Sequence, residues 1–407
     1  MREQRKQALL PKLRFPEFRD AGEWEEKPLK AICVMQAGKF VAASDIFEDY
    51  NGDSYPCYGG NGLRGYTKTH THSGKYPLIG RQGALCGNVN LVNGQFHATE
   101  HAVVVTPKEG INVDWLFYTL DLLNLNRFAT GQAQPGLSVE VLDKVPSVVP
   151  QEPEQQKIAD CLSSIDELIT LEVQKLATLK AHKKGLMQQF FPAKGETLPR
   201  LRFPEFRDAG EWEERMLGQL GELVSGLTYS PDDIRNEGLL VLRSSNVQNG
   251  TIVLEDNVFV RPDIKGANPS KPNDILICVR NGSKSLIGKN ALIPEVMPPC
   301  THGAFMTVFR SKSATFIFQL FQTEAYEKQV DADLGATINS INGNQLRKYK
   351  FHVPVPEEQQ RIADCFSSID ELIIAQTQKL ATLKTHKKGL MQQLFPSVES
   401  QKNLSHG

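Results

Sequence analysis

Apolar residues recur at alternating steps of four and three along two long segments, residues 154–192 and 358–396. In each segment eight of the ten positions on this stripe are apolar, the heptad pattern typical of a coiled-coil helix. The exceptions occupy matching places in the two segments and are Glu172, Lys183, Gln376 and Lys387. The apolar positions predict a helix-packing seam formed by Ile158, Leu162, Ile165, Ile169, Leu176, Leu179, Ile362, Phe366, Ile369, Ile373, Leu380 and Leu383.

Each segment predicts one long helix with its own start and stop signals. Glu152 and Glu154, on either side of Pro153, are typical of a first helical turn, and Pro192 ends the segment. A helix of about 36 residues spans roughly 54 Å, and its apolar stripe needs a partner because it cannot remain in water. We expect the two helices to pack on each other in an antiparallel pair. The alternative is that each helix packs only on its own domain.

The chain contains an internal repeat. Residues 13–26, LRFPEFRDAGEWEE, recur without change at 201–214, and 31 of the 39 residues of 154–192 are identical to those of 358–396. The two offsets, 188 and 204, make the segment enclosed in the second half 16 residues longer. Two copies of this length do not form a solenoid, which needs three or more short units. The order predicts a duplicated scaffold that presents two different inserts.

The inserts predict mixed α/β structure. Apolar runs at 102–105 and 274–279 predict strands, while 115–123 and 316–330 predict helices. Weak matches between residues 79–83 and 277–282 predict a shared fold with different surfaces. The expected fold class is therefore mixed α/β, with two α/β domains separated by two long antiparallel coiled-coil helices in a pseudo-twofold repeat.

Composition is typical of a globular protein, but its net charge conceals a local asymmetry. The 407 residues include 46 Lys and Arg against 47 Asp and Glu, and a net charge of -1 argues against a polyanionic partner. However, residues 54–99 contain no Asp or Glu, and residues 275–323 carry five Lys and Arg against one acidic residue, Glu295. Two such stretches in duplicated positions favour contacts with DNA phosphates, and Arg beside Gln or Asn is suited to guanine and adenine edges. The predicted DNA-binding residues are Asn61, Arg64, Lys68, Lys75, Arg81, Gln82, Arg243, Asn246, Arg280, Asn281, Lys284 and Lys289.

Cysteine usage and hydropathy indicate a cytoplasmic protein. The seven cysteines are scattered, with no C-x-x-C pair, which predicts free thiols in a reducing compartment. No stretch approaches the ~18 uninterrupted apolar residues of a membrane helix, and residues 1–15 lack the apolar core of a signal peptide.

No motif supports catalysis by this chain. Gly60 to Gly65 match G-x-G-x-x-G without a following helix, and the segment 282–290 has Asn where a phosphate loop has Ser or Thr. The adenine methyltransferase sequences N-P-P-Y and D-P-P-Y are absent. His70 and His72 have no Cys or acidic residue nearby in the sequence, so neither a metal site nor a catalytic residue is predicted.

The repeated blocks resemble those of the specificity subunit of type I restriction-modification systems. The shared features are the EQQ-x-IADC-x-SSIDELI opening and KLATLK-x-HKKGLMQQ-x-FP ending of each helix, and the FPEF-x(5)-W lead into each half. The resemblance covers nearly the whole chain. It implies that each insert is a target recognition domain for one half of a bipartite DNA sequence, and that the helices act as a spacer between the half-sites.

The resemblance also implies the partners. A non-catalytic subunit of this kind docks two methyltransferase subunits, which methylate adenine N6 with S-adenosylmethionine. Two restriction subunits, which use ATP and Mg, join in systems that possess them, and the complex serves phage defence. No cofactor is expected in this chain. Alternatives are a coiled-coil scaffold that does not bind DNA, a specificity protein that works with methylation only, and a nuclease with scattered carboxylates.

The expected domains follow the order of the blocks. They are a first target recognition domain at 1–150 with a lead-in at 1–29, a first spacer helix at 151–195, a second target recognition domain at 196–353, a second spacer helix at 354–396 and a flexible tail at 397–407.

Overall fold

The computed structural model describes residues 9–83, 85–131, 135–334 and 339–396, which form two compact units. Unit 1 comprises residues 1–173 and 378–407, and unit 2 comprises residues 174–377. Each unit contains one α/β domain, the first part of the long helix that follows it and the last part of the other long helix. The expected tail at 397–407 and the start of the lead-in, residues 1–8, lie outside the described residues.

The elements of the first half of the chain end with a long helix. They are β1 (Glu25–Pro28), α1 (Leu29–Ile32), β2 (Cys33–Ala37), β3 (Tyr55–Gly59), β4 (Gly62–Thr67), β5 (His72–Gly80), β6 (Val89–Ala98), β7 (Ala102–Pro107), α2 (Val113–Leu122), α3 (Val139–Leu142), β8 (Pro146–Val149) and α4 (Glu152–Phe190).

The second half has more and shorter strands. Its elements are β9 (Glu213–Met216), α5 (Leu217–Leu220), β10 (Glu222–Ser225), β11 (Ile234–Arg235), β12 (Leu239–Leu242), β13 (Val247–Gln248), β14 (Thr251–Ile252), β15 (Val258–Val260), β16 (Ile275–Cys278), β17 (Asn290–Leu292), β18 (Cys300–His302), β19 (Met306–Arg310), α6 (Ala314–Leu320), α7 (Glu324–Asp333), α8 (Gly343–Arg347), β20 (Lys350–Val353) and α9 (Pro356–Leu394).

The domain of unit 1 is built on a six-stranded sheet of order β2-β7-β5-β6-β3-β4. β5 and β6 form a long antiparallel ladder, whereas β3 pairs with β6 in parallel. The side chain of Asn112 starts α2 by accepting the backbone N–H groups of Asp114 and Trp115 at 2.9 Å. α2 then buries Trp115 completely against the sheet core, so the strands and helix predicted at 102–105 and 115–123 are confirmed.

The domain of unit 2 repeats the central part of this sheet. Its four-stranded sheet has the order β10-β19-β16-β17, which matches β2-β7-β5-β6 strand for strand, and its pairings are antiparallel. A second sheet, β11-β15-β12-β18, carries a parallel pair of β12 and β18 that corresponds to the parallel pair of β3 and β6. The expectation of a shared fold with mixed α/β structure is confirmed.

The segment 316–330 differs from its predicted single helix because it forms α6 and α7. The backbone N–H of Thr323 donates to the Leu320 carbonyl at 3.1 Å, and the Thr323 hydroxyl donates to the same oxygen at 2.7 Å. This three-residue turn ends α6 because the Leu320 oxygen is no longer available to continue the four-residue ladder.

The two long helices run antiparallel within each unit. In unit 1, Asp166 pairs with Lys387 at 2.6 Å and Glu172 pairs with Lys379 at 2.5 Å. Rising residue numbers on α4 thus pair with falling numbers on α9, as in an antiparallel pair. In unit 2, Lys183 pairs with Asp370 at 2.7 Å, and the rings of Phe190 and Phe366 meet further along. The twelve predicted seam residues are buried or half-buried, and the polar exceptions Glu172 and Gln376 are buried as well.

The repeated lead-in closes each unit by the same contacts. Arg14 holds Glu154 through two hydrogen bonds of 2.7 Å, and Arg202 holds Glu358 in the same way. Trp24 meets the ring of Phe395 edge-on, as Trp212 meets Phe191. The contacts of Arg202 and Trp212 repeat those of Arg14 and Trp24 at equivalent sequence positions. This repetition explains why the lead-in and helix blocks are duplicated together.

Candidate nucleic-acid interface

Four segments of unit 1 meet at one corner of its sheet, which we call corner 1. They are the β3–β4 turn (60–61), the residues after β5 (81–83), the β6–β7 turn (99–101) and the residues before α3 (135–137). The backbone N–H of Arg81 donates to the His101 carbonyl at 3.0 Å, and the Arg81 carbonyl accepts the N–H of Leu137 at 2.9 Å. These bonds hold three loops together at the end of the central strands.

Glycine makes this close approach possible. A Cβ on Gly60 would lie 3.0 Å from the His101 carbonyl oxygen, and a Cβ on Gly80 would overlap the backbone of Gly60. The loops therefore touch backbone to backbone, which leaves the neighbouring long side chains to project outward. The G-x-G-x-x-G match at 60–65 is the turn of a β-hairpin and the strand after it, so it has no relation to a phosphate loop.

Unit 2 assembles an equivalent corner, which we call corner 2. Its segments are the residues after β12 (243–246), those after β16 (279–282), the β18–β19 turn (303–305) and the residues before α8 (339–342). The N–H of Val279 donates to the Phe305 carbonyl at 3.0 Å, and the Val279 carbonyl accepts the N–H of Ile341 at 2.8 Å. The matching positions are Arg81 with Val279, Gln82 with Arg280, His101 with Phe305, and Leu137 with Ile341.

Several predicted DNA-binding residues of unit 1 lie at corner 1. Asn61 stands at the tip of the β3–β4 turn and Gln82 beside it, and both are exposed. Arg64 is exposed, and its aliphatic carbons lie over Gly59, where a Cβ would collide with them. Arg81 is half-buried and anchored through its backbone. Corner 1 thus combines the guanidinium groups of Arg64 and Arg81 with the side-chain amides of Asn61 and Gln82.

Corner 2 carries a similar set on a longer loop. Arg280, Lys284 and Lys289 are exposed, and the Arg280 guanidinium lies 5.4 Å from the centre of the Phe305 ring. Asn281 is half-buried and donates through its amide to the Ser244 hydroxyl at 3.0 Å. The loop between β16 and β17 is three residues longer than that between β5 and β6, which places Lys284 in the insertion.

Four predicted residues are placed differently. Lys75 is in the middle of β5 and pairs with Asp114 at 2.5 Å, while Lys68 follows the far end of β4 from the turn. Arg243 belongs to corner 2 but pairs with Asp256 at 2.7 Å. Asn246 is fully buried, and its amide bonds the backbone of Arg243 and Val253, so we assign it a structural role.

Sequence patterns missed other polar residues at the corners. In the β6–β7 turn, immediately after the acid-free stretch, Glu100 Oε1 lies 3.2 Å from His101 Nε2. A cleft of about 580 Å³ borders corner 2, and Arg280, Arg347, Asn342 and Asn344 line it. Arg347 stands outside the basic stretch 275–323, so only the fold brings it beside Arg280. The alternation of apolar and polar residues in the strands on either side is the sequence signal that could have located the β6–β7 turn.

The described residues offer little for redox or metal chemistry. Within the described ranges no group of three or more His, Cys, Asp or Glu is placed to hold a metal ion. All seven cysteines are free, and burial raises the pKa of the Cys33 thiol to about 12 and of Cys278 and Cys300 to about 11. The part of the chain that the structure describes has no helix long and apolar enough to cross a membrane.

Comparison of the sequence with protein families gives a match to the type I restriction modification DNA specificity domain at residues 21–181 and again at 209–385. A similar protein is the type I restriction enzyme EcoprrI specificity subunit of Escherichia coli, 49% identical over 150 residues, or 37% of each chain. The MjaVIII specificity subunit of Methanocaldococcus jannaschii is 26% identical over 305 residues, 72% of this chain and 71% of that one. The chain thus spans little more than a third of the first relative and most of the second.

The fold of this chain resembles those of solved structures. The crystal structure of a type I restriction-modification system S subunit from M. genitalium matches with a TM-score of 0.69 at 15% identity, over 96% of this chain and 100% of that one. A second chain, from a structural study of the assembly and conformational transition of the type I R-M system, matches with a TM-score of 0.51 at 15% identity, over 92% and 98% of the two chains.

Proposed function

Because this chain belongs to the family defined by the type I restriction modification DNA specificity domain, we propose that it recognises DNA for a larger restriction-modification complex and catalyses no step itself. The observation that carries the proposal is the duplicated corner. Two domains with the same strand order present different side chains at equivalent loops, as expected of two readers of different sequences.

We assign the domains as the sequence blocks suggest. Residues 1–150 and 196–353 form two target recognition domains, and residues 151–195 and 354–396 form the two spacer helices. The antiparallel pairs of Asp166 with Lys387 and Lys183 with Asp370 support a spacer made of both helices. In this assignment each domain reads one half of a bipartite DNA sequence, and the helix pair fixes the number of base pairs between the halves.

The proposed contacts are those that the corners expose. The first half-site is contacted by Asn61, Arg64, Arg81 and Gln82. The second half-site is contacted by Arg280, Asn281, Lys284 and Lys289. Arg reads guanine and Gln or Asn reads adenine in the major groove, while Lys neutralises phosphate. Lys68 is a further phosphate contact away from the corner. Lys75 and Arg243 contribute less, because Asp114 and Asp256 already neutralise them.

Partners supply the chemistry in this proposal. Two methyltransferase subunits that use S-adenosylmethionine dock on the repeated helix blocks, since two identical subunits need two equivalent surfaces. Leu168 and Leu372 occupy matching places in the repeat and are 39% and 57% exposed, which fits such a surface. Restriction subunits that use ATP and Mg can join the same assembly. The proposed location is the cytoplasm, where DNA is present.

The test is DNA binding across salt concentrations. The chain, assembled with its methyltransferase partners, is titrated with duplex DNA in gel-shift experiments from low to high salt. We expect the logarithm of the binding constant to fall with the logarithm of salt by roughly 0.9 for each phosphate neutralised. Binding that is absent or independent of salt with the partners present would contradict the proposal and favour a scaffold that does not bind DNA.

A further inference from the structure

Glu100 is the acidic residue that ends a long acid-free stretch, and the fold places it at corner 1. It lies in the turn between β6 and β7, and its side chain is 35% exposed. Residues 54–99, which precede Glu100 and supply much of corner 1, contain no carboxylate side chain. A single negative charge therefore stands on a surface that otherwise favours phosphate.

The surroundings of Glu100 are basic. The next residue, His101, is bonded through its carbonyl to the backbone of Arg81. Arg64 is also near, because Arg64 Cδ and the Oγ1 of Thr99, the residue before Glu100, both lie within 3.6 Å of the position that a Cβ on Gly59 would take. The carboxylate thus lies among the groups proposed to contact DNA.

The hydrogen-bonding capacity of this cluster is not used up inside the protein. Glu100 Oε1 pairs with His101 Nε2 at 3.2 Å. Three buried side-chain atoms of this cluster, Glu100 Oε2, His101 Nδ1 and Arg81 Nε, have no hydrogen-bond partner among the described residues. Buried polar atoms are normally paired, so unpaired atoms on three side chains of one corner point to a ligand that pairs with them once the side chains rotate outward.

Such a carboxylate needs a donor from the DNA. Phosphates repel it, so the charge weakens binding unless it meets an amino group. In the major groove, Glu and Asp accept from cytosine N4, whereas Arg and Lys serve guanine and Asn and Gln serve adenine. The equivalent turn of corner 2 has Ala304 and Phe305 and therefore offers no acceptor side chain.

We propose that Glu100 is a specificity-determining residue, and that its carboxylate accepts a hydrogen bond from the N4 amino group of a cytosine in the half-site read by the unit 1 domain. This proposal rests on the proposed function. His101 holds Oε1 and orients the carboxylate, while Arg64 and Arg81 neutralise the phosphates beside that base.

The experiment compares Glu100→Ala and Glu100→Gln with a matched control, Glu109→Gln. Glu109 is exposed in the turn at the other end of β7. Each chain is assembled with its methyltransferase partners and incubated with duplexes randomised over both half-sites, and the bound DNA is sequenced. We expect both Glu100 variants to reduce the preference for one C·G pair at least tenfold and to leave the other half-site unchanged. Glu109→Gln is expected to match the original chain.

The second half-site acts as an internal control for folding. Glu100 variants that retain every base preference, or that lose preference at an A·T pair, would overturn the inference. A uniform rise in affinity without altered preference would also overturn it, because the carboxylate would then only oppose phosphate. These outcomes differ from failure of the proposed function, in which the original chain itself selects no bipartite sequence.

Discussion

A buried Arg–Glu pair closes each unit. The side chains of Glu154 and Glu358 are 2% and 1% exposed, and each carboxylate receives two hydrogen bonds from one guanidinium, Arg14 or Arg202. Each arginine also donates to a carbonyl of its own lead-in, that of Gly22 or Gly210. A carboxylate taken out of water in this way depends on its guanidinium partner, since burying an unpaired charge costs much free energy.

Removal of Arg202 is therefore expected to destabilise unit 2. The variant Arg202→Ala leaves Glu358 buried and unpaired, and we expect the free energy of unfolding to fall by about 3–5 kcal/mol. Urea denaturation followed by tryptophan fluorescence measures the change. The control is Arg207→Ala, an exposed position in the same lead-in. Equal effects of the two substitutions would show that the pair has no special role.

His302 makes the stability of unit 2 depend on pH. Its Nε2 donates to the Val224 carbonyl at 3.0 Å, and its Nδ1 accepts from the Ser270 hydroxyl at 3.0 Å. Burial is the largest effect on the pKa of His302 and lowers it; the Val224 carbonyl and Asp274 raise it, Arg310 lowers it, and the net shift is downward. The folded imidazole therefore stays neutral at a pH where the unfolded one is protonated.

The sign of the pH effect follows from this difference. Below the unfolded pKa of about 6.5 the unfolded chain binds a proton that the folded chain does not, so stability is lost as the pH falls from 7 towards 5. Denaturation at several pH values is the measurement, and His302→Gln is expected to flatten the dependence. An unchanged slope in that variant would assign the effect to other groups.

Sequence alone picked out several polar residues of the corners but could not separate the exposed from the buried ones. The sequence argument predicted both Arg280 and Asn246 as DNA-binding residues, yet Arg280 is exposed and Asn246 is fully buried. Burial depends on which strands surround the residue, and that is settled by pairing over long distances. Glu100 escaped notice because it stands one residue beyond the acid-free stretch.

At the scale of elements, the polar interruptions of the heptad stripe specify how the long helices pair. Lys183 and Lys387 are equivalent in the repeat, and each reaches the equivalent aspartate of the other helix, Asp370 or Asp166. A slip of one helix by a turn would break both pairs, so they select one register. The sequence showed these lysines as exceptions to the stripe, but their partners became evident only from the antiparallel packing.

A charge-reversal cycle tests this pairing in unit 2. Asp370→Lys places two ammonium groups together, and we expect it to lower the free energy of unfolding by about 1–3 kcal/mol. Adding Lys183→Asp should recover most of this loss. Recovery stays incomplete because Gln319 also donates to Asp370, at 2.9 Å. A double variant as unstable as the sum of the two single variants would contradict the pairing.

The elements themselves were largely predictable, since periodicity reports burial along one helix or strand. The first long helix begins at Glu152, in its predicted first turn, and the second begins at Pro356, close to the start of its heptad segment at 358. The break between α6 and α7 was not predictable, because it rests on two local hydrogen bonds from Thr323 to the Leu320 carbonyl, which an apolar pattern does not show.

At the scale of the whole molecule, the proposed spacer predicts how helix length controls target choice. Insertion of one heptad into each long helix at matching places adds about 10 Å of helix. At 3.4 Å per base pair, we expect the accepted gap between half-sites to lengthen by about three base pairs. Selection from DNA with randomised gaps measures it. Altered half-sites at a constant gap would contradict the spacer role.

The net charge of -1 illustrates why the distribution of charge over the molecule could not be predicted from composition. Acidic residues such as Asp166 and Asp370 are engaged along the helices, while the corners display Arg64 and Arg280. A total over the chain averages these surfaces, and only the fold separates them.

The central claim is that two domains of one chain read two separate half-sites. Sequencing that detects modified adenines, applied to cells that contain the methyltransferase partner with and without this chain, tests it most directly. We predict methylation at an asymmetric sequence of two short parts with a fixed gap, present only when the chain is expressed. Methylation of one uninterrupted sequence, or a pattern that does not depend on the chain, would contradict the claim.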